Sequence, residues 1–186
     1  HLDANKDPLT VLDGIRVAVR CLPRLQMYCC FGSAPLLRTV QRRIAEDPLF
    51  NGRVHLLGRV SHLQVEQLMR AADLFVLGSH REGSGYSVIE ALACGLPPVI
   101  TDIPSFRSLT DDGSVGALWP IGDAAALGER IVAVAAQPPH STRAAAREHF
   151  ERRLSFEAVG RSLATAYQDL LERRRFGSLG RKRLDS

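Results

Sequence analysis

Long apolar runs are missing from this 186-residue chain. The longest, Val88 to Ile100, is interrupted by Glu90 and falls well short of the roughly 20 residues that a bilayer-crossing helix needs, so no membrane span is expected. The N-terminus opens with His1, Leu2 and Asp3 rather than a basic segment ahead of an apolar stretch, and nothing there reads as a secretion signal. The cytosol is the expected compartment. Cysteine is scarce: the four, at 21, 29, 30 and 94, show neither CxxC spacing nor histidines at zinc-ligand spacing. They lie in apolar stretches and read as reduced core residues, with no metal site among them. Aromatic residues make up only 6 %, and they are not interleaved with basic ones as a single-strand nucleic-acid platform requires.

What the chain does have is the balance of an ordinary globular domain, 45 % hydrophobic and 24 % charged. Its net charge of +4 is unevenly placed. Residues 1–142 carry 13 Lys and Arg against 14 Asp and Glu, while residues 143–186 carry 11 against 6. The basicity therefore belongs to the C-terminal region, where Arg173 to Arg175 and Arg181, Lys182 and Arg183 suit either a solvated helix end or a peripheral contact with an anionic lipid surface. No nucleic-acid partner is expected.

Hydrophobic spacing divides the chain into alternating strands and helices. Asp7 and Pro8 start a helix carried by Leu9, Leu12, Ile15 and Val19. Strand signals follow at 26–31, 54–57, 74–77, 99–101 and 115–119. Helical patterns lie at 35–47, from Ser61 (a capping box with Gln64) through Met69, from the loop at 78–85 to Gly95, from Asp123 through Val134, and at 141–153 and 155–173. This predicts an α/β domain, a parallel sheet with helices on both faces, over residues 1–177, followed by a disordered basic tail at 178–186. Ligands of such sheets bind in loops beyond the C-terminal strand ends, which directs attention to the loop after Leu77.

There the chain reads Ser79-His80-Arg81-Glu82-Gly83-Ser84-Gly85-Tyr86-Ser87-Val88-Ile89-Glu90. Gly83 and Gly85 let backbone approach a ligand, and the amides opening the next helix favour an anion. Glu90 stands alone among Val, Ile, Ala, Leu and Cys. A buried carboxylate there needs donors, and ribose hydroxyls suit it, as does a neighbouring loop or an internal arginine. Tyr86 suits either stacking on a ligand or packing on the core.

Glu82 and Glu90, separated by seven residues and followed by Ala-Leu-Ala-Cys-Gly-Leu-Pro, resemble the E-x7-E signature of retaining GT-B glycosyltransferases, specifically the large family 4 group. The likeness runs over about residues 1–137, including the opening Leu-Asp-Ala-Asn-Lys-Asp-Pro-Leu and the stretch Val54 to Val60 followed by Ala71, Ala72, Asp73 and Leu74. It implies a Rossmann-like fold, the C-terminal half of a GT-B enzyme, that binds a UDP-, GDP- or ADP-sugar without a metal cofactor. The resemblance places Glu82 at the donor sugar and Lys6 on the diphosphate. Gly83, Ser84, Gly85, Tyr86 and Ser87 would lie along the sugar and diphosphate, Glu90 on the ribose, and Arg59 and Val60 at the nucleobase, with His80 and Arg81 within reach of phosphate or sugar. A solvated lysine at position 6 and a plain turn at 59–60 are the alternatives for those positions. The family's partner arginine falls one residue before His1, and its acceptor-binding N-terminal half has no counterpart in these residues, so the chain reads as the C-terminal half alone, with its acceptor unknown. A non-catalytic nucleotide-sugar-binding module, and a GT-B epimerase or hydrolase, are the competing functions.

Overall fold

The computed structural model describes the backbone of residues 1–181 and the side chains of residues 1–172. Strands and helices alternate from α1 (Pro8–Val19) and β1 (Met27–Cys30) through α2 (Leu37–Glu46), β2 (Val54–Gly58), α3 (His62–Ala71) and β3 (Phe75–Leu77). They continue with α4 (Tyr86–Ala93), β4 (Pro98–Thr101), α5 (Pro104–Thr110), β5 (Ala117–Trp119), α6 (Ala124–Ala135), α7 (Pro139–Arg153) and α8 (Phe156–Arg181). The helix α8 runs past the expected boundary at residue 177, and residues 182–186 of the anticipated tail lie outside the described residues.

All strand pairs are parallel, as the alternation predicts. They form two ladders rather than one: β1 pairs with β2, and β4 lies between β3 and β5. The amides of Met27 and Phe31 donate toward the β2 side and that of Phe75 toward the β4 side. Along β1 exposure alternates, leaving Tyr28 55 % exposed and stacked on His55 with ring centroids 4.6 Å apart. In β4, by contrast, all four residues are buried, as expected of a strand covered on both sides.

Local chemistry explains the helix ends. Asp7 caps α1 through Thr10 N at 3.3 Å, Ser61 and Gln64 form the predicted capping box on α3, and Asp123 caps α6 through Ala126 N at 2.9 Å. The largest buried cluster brings Val11, Leu12 and Ile15 of α1 against Leu127 and Ile131 of α6. Glycine permits this approach, because a Cβ on Gly14 would stand 2.4 Å from Leu127 and one on Gly128 would stand 2.5 Å from Val17. A second cluster, with Val88, Leu92, Ile100 and Phe106, seats α4 against β4 and α5.

Two sequence expectations need correction. The cysteines are free thiols but are not core residues: Cys21 and Cys30 are exposed, and Cys29 and Cys94 half-buried. Burial nevertheless pushes the Cys29 thiol up to about 12, with Cys30 adding to the effect. Part of the C-terminal basicity is structural. Arg143 of α7 donates to the carbonyls of Ala72 (2.7 Å), Arg70 (3.1 Å) and Cys94 (3.4 Å), tying down the C-terminal ends of α3 and α4, where cations are favoured.

Candidate functional site

The segment before α1 lies across the C-terminal ends of the strands. Leu2 N donates to Ser33 O (2.8 Å) in the loop after β1, and His80 N donates to Asn5 O (2.8 Å) from the loop after β3. Between these anchors the chain folds tightly on Asp3, whose carbonyl accepts from Lys6 N (3.1 Å) and Asp7 N (3.2 Å). Asp7 takes left-handed backbone angles, φ 43° and ψ 57°, that redirect the chain into α1.

This turn delivers Lys6 to the loop after β3. The Lys6 ammonium pairs with the Glu82 carboxylate and donates to Ser79 Oγ at 3.2 Å, and Ser79 Oγ in turn donates to Glu82 Oε1 at 3.1 Å. Only 19 % of the Lys6 side chain and 18 % of that of Glu82 is exposed. Burial lowers the Lys6 ammonium below its usual range, and the nearby Asp3 charge opposes that shift. Ser79 is itself fully buried, with its carbonyl accepting from the Thr101 hydroxyl at the end of β4. The solvated-lysine alternative is thereby set aside. A cation and a carboxylate that are both this shielded interact more strongly than an exposed pair does.

Beyond Glu82 the chain turns at Gly85 (φ 61°) into α4, which has no side-chain cap. Among the described residues, the amides at 83–87 donate to no protein acceptor. They form the unpartnered positive end of a helix beside a half-buried lysine, an arrangement suited to a polyanion. Gly85 is required sterically as well as conformationally, since a Cβ would lie 2.7 Å from Leu109 Cδ1 and 3.3 Å from Phe106.

The remaining predicted residues are placed differently. Glu90 is exposed, not buried, and makes no side-chain hydrogen bond or ion pair among the described residues. Val88, Ala91 and Leu92 occupy the buried face of α4, and position 90 falls outside it. Tyr86 is 73 % exposed, so it does not pack on the core. Arg59 and Val60 follow β2, with the Arg59 guanidinium near Gly32, and no hydrogen bond joins them to Lys6 or Glu82. The His80 ring donates to Asp7 Oδ2 at 2.9 Å. Asn5 and Ser79 were given no part in the site by the sequence reading, and Asp7 only the start of α1, although all three lie within three residues of Lys6 or Glu82. Among the described residues no group of three His, Cys, Asp or Glu side chains is arranged to hold a metal ion.

Residues 28–151 match the family model described as glycosyl transferases group 1. The chain is 31 % identical over 134 residues to a phosphatidyl-myo-inositol mannosyltransferase of Mycobacterium leprae, covering 71 % of this chain and 34 % of that protein. It is 25 % identical over 169 residues to a GDP-mannose:cellobiosyl-diphosphopolyprenol alpha-mannosyltransferase of Xanthomonas oryzae, covering 90 % and 44 %. Among solved structures, Anabaena HepE in complex with UDP and glucose superposes with a TM-score of 0.76 at 20 % identity, over 91 % of this chain and 46 % of that one. The chain spans about a third of the length of the first of these relatives, and the fold is that of one Rossmann-like half of a GT-B glycosyltransferase.

Proposed function

Because the chain belongs to the group 1 glycosyl transferases, we propose that it is the donor-binding half of a retaining enzyme that moves a sugar from a nucleoside diphosphate to an acceptor. The observation that carries this reading is the Lys6–Glu82 pair, shielded from water beside the unpartnered amides of α4. An incoming diphosphate competes with Glu82 for the Lys6 ammonium. As the bond between anomeric carbon and diphosphate oxygen breaks and an acceptor hydroxyl oxygen bonds to that carbon, the electron pair passes to the diphosphate, which takes up the hydroxyl proton, and Lys6 with the amides at 83–87 stabilises the growing charge. Glu82, released from part of its ion pair, orients the sugar hydroxyls. No metal is required in this scheme, since Lys6 supplies the compensating charge.

Glu90, exposed on α4, holds the ribose hydroxyls, and the backbone of Arg59 and Val60 meets the base. The donor nucleotide is UDP, GDP or ADP. The relatives' own UDP complexes and GDP-mannose specificity favour the first two. The acceptor is bound elsewhere in the longer protein. Among the described residues no helix is long and apolar enough to cross a membrane, and the reading places the protein in the cytoplasm, with the basic residues from Arg173 onward suited to peripheral contact with anionic lipid.

Calorimetric titration of the chain with UDP, GDP and ADP tests the proposal. Saturable binding of one nucleotide is expected, weakened about tenfold or more by Lys6→Ala, as for loss of a charge-assisted contact. Equal affinity in both chains would sink the assignment of Lys6.

A further inference from the structure

The loops that carry Lys6 and Glu82 are joined by contacts that the proposed donor chemistry leaves unused. Asn5 pairs with Arg81 much as a neighbouring strand would: Arg81 N donates to Asn5 Oδ1 at 3.1 Å, and Asn5 Nδ2 donates to Arg81 O at 3.1 Å. The Asn5 carbonyl also accepts from His80 N at 2.8 Å. One residue beyond Lys6, Asp7 accepts from the His80 ring at 2.9 Å while capping α1. Lys6 is thus bracketed by two residues that hold the pair preceding Glu82.

We propose that Asn5 and Asp7 are positioning residues that act through Arg81 and His80 to hold Glu82 opposite Lys6 and to aim the loop at 82–85 toward the donor. The proposal rests on the donor-site reading above. Its physical basis is that Gly83 and Gly85 make this loop intrinsically permissive, so some other contact must fix where it begins. A side-chain amide suits position 5 because it both donates to and accepts from a single backbone residue. Aspartate there keeps the acceptor for Arg81 N but sets a carboxylate against Arg81 O, and alanine loses both bonds. His80 in this assignment serves the loop rather than the ligand.

Two readouts on the unaltered chain, Asn5→Ala and Asn5→Asp test it. Amide hydrogen exchange in the ligand-free chain reads the clamp directly. The Arg81 amide should exchange about tenfold faster in Asn5→Ala, with Asn5→Asp in between and amides of α6 unchanged. Titration with UDP, GDP and ADP at matched salt, at a temperature where every variant is folded, then reads positioning, with affinity expected to fall about tenfold in Asn5→Ala while the thermal midpoint drops by only roughly 3–6 °C. Unchanged exchange at Arg81 overturns the clamp, whether or not nucleotide binds. Faster exchange with unaltered affinity overturns the positioning role. An unaltered chain that binds none of the three nucleotides overturns the donor-site reading, and the positioning role with it.

Discussion

At the scale of single residues, Asp7 does three things at once: it redirects the backbone in a left-handed conformation, caps α1 and holds His80. Burial alone would raise its carboxyl, but the hydrogen bonds from His80 and Thr10 outweigh that and hold it below the usual 3.8. Since the folded-state value is depressed, its stabilising contribution is present above 3.8 and is lost as the pH falls through the lower folded value. Asp7→Asn preserves the cap and tolerates the left-handed angles, so its urea midpoint should decline less steeply with acid than that of the unaltered chain. Asp7→Ala should cost about 1 kcal/mol at neutral pH through loss of the cap. Lys6 and Glu82 were legible only through the resemblance, because nothing in residue spacing joins positions 76 apart in sequence. Burial of Glu90 was misjudged because apolar neighbours on a helix do not say which face is covered. Val88, Ala91 and Leu92 define that face, and Glu90 stands off it.

The elements were largely legible where caps and periodicity coincide, as in α1, α3 and α6. The helix α5 was not, because its seven residues carry too little periodicity to register, and only Phe106 and Thr110 are buried. Yet α5 shapes the site, since Phe106 and Leu109 press against Gly85 where α4 begins. Gly85→Ala should cost about 1–2 kcal/mol from the left-handed backbone alone. Crowding against Leu109 adds to this, giving a lower urea midpoint and altered exchange at the amides opening α4. A substitution as small as Gly83→Ala, where a Cβ meets nothing within 4 Å, should leave the midpoint nearly unchanged. The contrast separates a glycine required by packing from one beside open space.

For the whole molecule, the parallel α/β plan followed from the alternation of patterns, whereas the division into two ladders did not, since strand neighbours are set by tertiary contacts that a periodicity does not encode. The apolar face of α8 was legible, since Val159, Leu163, Ala166 and Leu170 recur at helical spacing, and Phe156, Val159, Leu163, Tyr167 and Leu170 are all exposed, Phe156 at 95 %. A stripe of this size outside any core favours association. Sedimentation velocity should show concentration-dependent self-association, weakened about tenfold by Leu163→Ser combined with Leu170→Ser, and a monomer at all concentrations would refute it. The central claim, that a nucleotide sugar is held between Lys6, Glu82 and the start of α4, is tested most directly by following backbone amide resonances while UDP, GDP or ADP is added. The account predicts saturable shifts concentrated at residues 6, 82–87 and 90, with a second group at Arg59 and Val60. Shifts that map to another part of the chain, or none with any of the three nucleotides, would contradict it.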